Sequence, residues 1–155
     1  MGILRPEEEA RVRELFAALE RPVELLVALK AGSGVGEADT ARPEDQQVFG
    51  HWRDVDFGAE AVKIAEGLAE LGGAVSCRVE EQPDGFPRFP AIAIRPEGRD
   101  AGLRYDGLPW GYELGSLIGG VLEAGRREPA LRPESRDALA ALDRDLAVDV
   151  FVTPT

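Results

Sequence analysis

Apolar positions along the chain fall into alternating helical and strand-like periods. Val12, Leu15, Phe16 and Leu19 recur at the spacing of one helical face, predicting a helix over residues 6–20. Pro6 suits its first turn, Glu7, Glu8 and Glu9 complement the positive helix end, and Pro22 stops it. Residues 23–30, VELLVALK, are almost continuously apolar, as in a central strand covered on both faces. A second helix is predicted over 57–71, with Phe57, Ala61, Ile64, Ala65, Leu68 and Leu71 inward, Asp56 as N-cap and Gly72-Gly73 as stop. Val75, Cys77 and Val79 alternate through a half-buried strand at 74–80. Strands at 91–95 and 102–106 form a hairpin, and a third helix covers 110–125, with Leu114, Leu117, Ile118, Val121 and Leu122 inward.

The order α-β-α-β-β-β-α, with a helix crossing over between two parallel strands and then a hairpin and a covering helix, is a thioredoxin-like α/β plan. After residue 126 the pattern begins again. A linker leads to a helix at 133–144, with Ala138, Leu139 and Leu142 inward, and then a strand at 147–152, AVDVFV. This repeats the opening helix and Val-rich strand. The expected organisation is therefore a thioredoxin-like unit at 1–126 and the first helix and strand of an incomplete second unit at 127–155. A bare Val-rich strand is a template for pairing, so a homodimer through residues 147–152 is expected.

Composition narrows the function classes. A net charge of −11 repels phosphate backbones, so nucleic acid is not an expected partner. No apolar run approaches 18 residues and the N-terminus lacks a secretory apolar stretch, so no membrane association and a cytoplasmic location are expected. With one cysteine, Cys77, the chain holds no internal disulfide and no Cys-X-X-Cys. With one histidine, His51, one copy cannot build a Cys/His metal cluster, and neither metal nor cofactor is expected.

Cys77 reads first as a buried, inert core thiol and second as a redox-active one. His51-Trp52 lies in the long Gly- and acid-rich segment 31–54, where a packed-down loop competes with a binding loop. None of Ser33, Ser76, Ser116 or Ser135 has the G-x-S-x-G context of a nucleophile. Gly32-Ser33-Gly34-Val35-Gly36 lacks the Lys-Ser/Thr of a phosphate loop.

Residues 102–125, GLRYDGLPWGYELGSLIGGVLEAG, resemble the end of the first unit in protein disulfide oxidoreductases of the tandem-thioredoxin, glutaredoxin-like family. They are also similar to the N-terminal domain of the alkyl hydroperoxide reductase flavoprotein. Arg104, Tyr105, Gly107, Pro109, Gly111, Glu113 and Leu114 fit the pattern R-[YF]-x-G-x-P-x-G-x-E-[FL]. Residues 143–155 resemble the start of the second unit, where VFVTPT runs into Cys-Pro-X-Cys. The resemblance is stronger after residue 88 than before it.

The resemblance implies a cis-proline lining the site, at Phe89-Pro90. It places the vestigial active-site turn at Val55, Asp56, Phe57 and Gly58, where active members carry Cys-X-X-Cys. A thiolate there is stabilised by free N–H groups at a helix N-terminus. With no thiol at 55–58, this unit has lost its dithiol, as the flavoprotein's first unit has. The helix expected between the second strand and the cis-proline is also missing, since residues 80–90 are too few. The implied role is the scaffold or substrate-binding half of a thiol–disulfide oxidoreductase, with a protein disulfide or dithiol substrate or a redox partner protein. A redox-inactive protein-interaction module is the competing reading. Three explanations of the missing dithiol stand side by side: a piece of a longer protein, a truncated gene, or a selenocysteine codon read as a stop.

Overall fold

The computed structural model describes residues 4–32 and 55–151. The elements in chain order are α1 (Pro6–Ala17), β1 (Val23–Leu29), α2 (Phe57–Glu70), β2 (Val75–Glu81), β3 (Ala91–Pro96), β4 (Arg104–Asp106), α3 (Tyr112–Ala124) and α4 (Pro133–Ala140). Four strands form one mixed sheet in the order β2-β1-β3-β4. β1 is parallel to β2 and antiparallel to β3, and β3 and β4 form the hairpin.

The sequence places β1 at the centre because both its faces are apolar, and five of its seven residues, Leu25 to Leu29, are consecutively buried. Residues directly opposite in register share a face. Leu25 pairs with Cys77 and Ile94, and Val27 with Val79 and Ile92. These side chains, Val79 excepted, meet Val12 and Phe16 of α1, Ile64 and Leu68 of α2, and Leu117 and Val121 of α3 in one core. Three helices thus cover one face of the sheet. Where α1 meets the end of α2, a Cβ on Gly72 would lie 2.7 Å from the Phe16 Cβ, so that crossing is closed to any larger residue.

The other face carries Glu24, Leu26 and Ala28 of β1 against Arg95, Ala93 and Ala91 of β3. No helix separates β2 from β3. Instead Gln82, at φ 43°, turns the chain away after its N–H has bonded the Leu29 carbonyl at 2.6 Å. The 82–90 loop then crosses this face, and arginine–carboxylate pairs lie over it: Arg95–Glu24 at 3.0 Å, Arg104–Asp100 at 2.9 Å, Arg88–Asp106 at 3.1 Å, and Arg78–Glu80.

The pattern-based element boundaries hold to within a few residues for α1, α2, α3 and the strands. The region after 126 differs. α4 ends at Ala140 and buries none of its residues; Leu139 and Leu142, expected inward, are exposed. Residues 147–151 form no strand, and Val148, Val150 and Phe151 are at least 80% exposed. An apolar period specifies a face to bury but supplies nothing to bury it against, and among the described residues this segment has neither a ladder partner nor a covering layer. The expected strand's last residue, 152, lies outside the described residues, as do His51, Trp52 and most of the 31–54 segment.

Candidate functional site at the Pro90 end of the sheet

The C-terminal end of β1, the start of β3 and the N-terminus of α2 converge. Ala28 is in register with Ala91, so Pro90 lies one residue beyond the pair, beside Leu29. Gly58, in the first turn of α2, is buried; a Cβ there would lie 3.2 Å from the Leu29 Cδ2. Asp56 caps α2 as the sequence indicates, its Oδ1 accepting from the Ala59 N–H at 2.9 Å. Val55, Asp56 and Phe57 are half-buried. The Phe89–Pro90 peptide is cis, and Pro90 is buried. The structure therefore brings residues 55–58 and 89–90 to one end of the sheet.

The glycine- and proline-containing run after β4 gives this end its shape. The Gly107 N–H donates to the Pro90 carbonyl at 2.8 Å, with Gly107 at φ 102°. Gly111, at φ 60°, is the N-cap of α3. Both are conformations in which a Cβ is unfavourable, which accounts for glycine at the two motif positions. Pro109 is fully buried, and Leu114 joins the core. Burial pushes the Tyr105 hydroxyl above its ordinary range, and its hydrogen bond with the Glu113 carboxylate pushes it in the same direction. Arg104 sits with its guanidinium carbon 4.5 Å from the centroid of Phe86 and donates to the Gly85 carbonyl and to Asp100. It pins the 82–90 loop that delivers Pro90. The sequence does not announce this clamp, because nothing in the spacing of Phe86 and Arg104 points to a contact between them.

Cys77 is half-buried against the core. Burial pushes its thiol up to about 11, and the carboxylates of Glu66 and Glu24 push the same way. Arg78 lies on the opposite face, paired with Glu80, and gives the thiol no help. At neutral pH such a thiol is protonated and a poor nucleophile. It is also remote in register from Pro90: Cys77 pairs with Leu25, four residues before Leu29. Among the described residues there is no group of three His, Cys, Asp or Glu side chains placed to hold a metal ion. No helix among them is long and apolar enough to cross a membrane.

No family model matches the chain. Against curated proteins it is 24% identical over 93 residues to the alkyl hydroperoxide reductase component AhpF of Staphylococcus aureus (strain Mu50), covering 60% of this chain and 18% of that protein. It is 22% identical over 100 residues to AhpF of Staphylococcus epidermidis (strain RP62A), covering 64% and 19%. The match thus spans about a fifth of the length of these relatives. Among solved structures, the NTD_N/C domain of AhpF from Enterococcus faecalis superposes with a TM-score of 0.68 at 17% identity, over 91% of this chain and 62% of that one. A protein disulfide oxidoreductase from Aeropyrum pernix K1 superposes with a TM-score of 0.65 at 16% identity, over 92% and 56%. The chain has a thioredoxin-like α/β fold, and it resembles the N-terminal domain of alkyl hydroperoxide reductase AhpF and the protein disulfide oxidoreductases.

Proposed function

We propose that this chain is the substrate- or partner-binding half of a thiol–disulfide oxidoreductase and has no redox dithiol of its own. The observation that carries the reading is the corner in which Pro90, tied through its carbonyl to Gly107, stands beside the α2 N-terminus at residues 55–58. The resemblance puts this corner at the active site, with the protein substrate or partner bound near Pro90. Here the corner is built and the sulfur is absent, since Cys77 is the chain's single cysteine. On this reading the redox group, a thiol pair or a selenol, lies elsewhere in the native polypeptide. Residues 127–155 are read as the opening of a second unit, with pairing between copies through residues 147–152 as a further part of the proposal. The location that goes with this reading is the cytoplasm.

A specific observation favours a second reading, a redox-inactive protein-interaction module: the only thiol is held protonated and away from Pro90. Two measurements separate the readings. Titration with a disulfide-bonded protein, followed by amide chemical shifts, is expected to move residues 55–58 and 89–91; shifts confined to other surfaces would refute binding at this corner. The intact mass and thiol or selenol content of the native protein decide the redox role. A species heavier than 16.7 kDa with an added thiol pair or selenol supports the oxidoreductase half. A 16.7 kDa species without them leaves the interaction module. Sedimentation at high protein concentration tests self-pairing, and a monomer throughout removes it.

A further inference from the structure

The loop that leads to Pro90 runs in step with β4. Arg104 donates to the Gly85 carbonyl and stands over the Phe86 ring. Two residues on, Asp106 accepts from Arg88 at 3.1 Å. The next residue, Gly107, donates its N–H to the Pro90 carbonyl at 2.8 Å. Advancing along β4 thus advances along the loop in the same direction, so residues 85–90 run parallel to β4 before the chain reverses into antiparallel β3. The two-residue period of a strand makes this possible. Tyr105, paired with Ile92, packs on the core, and its neighbours Arg104 and Asp106 are left for the loop.

The ties are unequal. The Arg88 side chain is 65% exposed, and an ion pair so open to water contributes little. The Arg104 side chain is 28% exposed, and its one guanidinium serves the Gly85 carbonyl, the Phe86 ring and Asp100 together. A planar fork with fixed donor directions suits three such contacts at once. Asp100 is itself fixed, accepting from the Gly102 N–H at 2.8 Å. Pro90 has no N–H to give to a ladder. Its place therefore depends on its carbonyl bond to Gly107 and on the chain that delivers it.

We propose that Arg104 is the positioning residue of the Pro90 corner. By holding Gly85 and Phe86 it sets where Pro90 stands against residues 55–58, and so how tightly that corner takes a protein partner. The first half stands on the contacts above, and the second rests on the binding reading of the corner. The physical link is preorganisation: a loop that is loose in the free chain must be ordered on binding, at a cost in affinity. Arg104 itself touches no partner in this account and acts through the loop.

The test begins with amide exchange in the free, whole chain. Arg104→Gln is expected to speed exchange of the Gly107 N–H about tenfold, the scale of one charge-assisted hydrogen bond, and to shift the Phe89 and Ala91 amides. Arg104→Lys keeps the charge without the fork and should fall between. Val12→Ala, which truncates the core on α1, should leave the Gly107 rate and those shifts as they are. Insulin, a disulfide-bonded polypeptide, is then titrated against each chain and followed at residues 55–58, 89 and 91. Its affinity is expected to fall about threefold to tenfold in Arg104→Gln and to recover in part in Arg104→Lys. Unchanged Gly107 exchange in Arg104→Gln overturns the proposal, as does an equal change in Val12→Ala. Faster exchange with unchanged affinity overturns the link to binding. Corner shifts absent from the unsubstituted chain refute the binding reading itself. That failure is visible before any substitution is made and is separate from the Gly107 result.

Discussion

Gly107 links the two halves of the candidate site, because its backbone both holds the Pro90 carbonyl and turns the chain from β4 toward α3. At φ 102° an alanine is strained, although no atom lies within 4 Å of where its Cβ would stand. Gly107→Ala is therefore expected to cost about 1–3 kcal/mol through backbone strain rather than collision, and denaturant unfolding measures it. A loss below a few tenths of a kcal/mol would show that the turn relaxes freely. Cys77 makes a second prediction at this scale. With its thiol pushed up to about 11, its thiolate fraction near pH 8 is roughly a hundredfold below that of a thiol at its ordinary value of 9.0. Alkylation should be slow at pH 8 and rise with a midpoint near 11. The sign for stability follows: burial favours the neutral thiol, so its contribution is whole below the unfolded value and is lost as pH rises through about 11. A midpoint near the ordinary value of 9.0 would mean that strand β2 opens readily.

At the scale of elements, strength of pattern and survival in the structure go together wherever a partner exists. β1 was legible because a run apolar on both faces fits only a central strand, and α2 because its stripe, N-cap and flanking strands agree. Asp56→Ala removes the bond to the Ala59 N–H and is expected to destabilise by about 1 kcal/mol, read from the unfolding midpoint. If that N–H finds water at no cost, the midpoint will stay where it is. β2 is the half-buried strand that its alternation suggested; the structure puts it at the sheet edge, where Val79, aligned with Val75 and Cys77, is 39% exposed. α4 and residues 147–151 had equally good periods and carry no buried side chain. Their fate depended on a neighbour, which a period cannot supply.

At the scale of the molecule, the helices gather on one face because the β2–β3 connection is too short to hold another, leaving the second face to a loop and a mesh of ion pairs. The core is complete without the C-terminal region: every residue of the core cluster lies before Gly125, and Gly125 itself accepts from the Glu20 and Arg21 N–H groups at 3.1 and 3.2 Å. Ending the chain after Arg127, which keeps its N–H bond to Glu20 at 2.7 Å, should leave the thermal midpoint within about 2 °C. A larger drop would show that α4 docks on the unit in solution. The sequence by itself determined the element order through α3, the central strand, the inward faces of α1, α2 and α3, and the glycine, proline and acidic positions of the 104–114 run. These follow from local periodicity, backbone preference and a motif that lies within a few turns of chain. Only the tertiary structure decided that Arg104 would clamp Phe86, that Gly107 would hold Pro90, and that Glu24 would pair with Arg95. Each of these joins residues distant in the chain, and sheet register, not local sequence, sets which distant side chains meet.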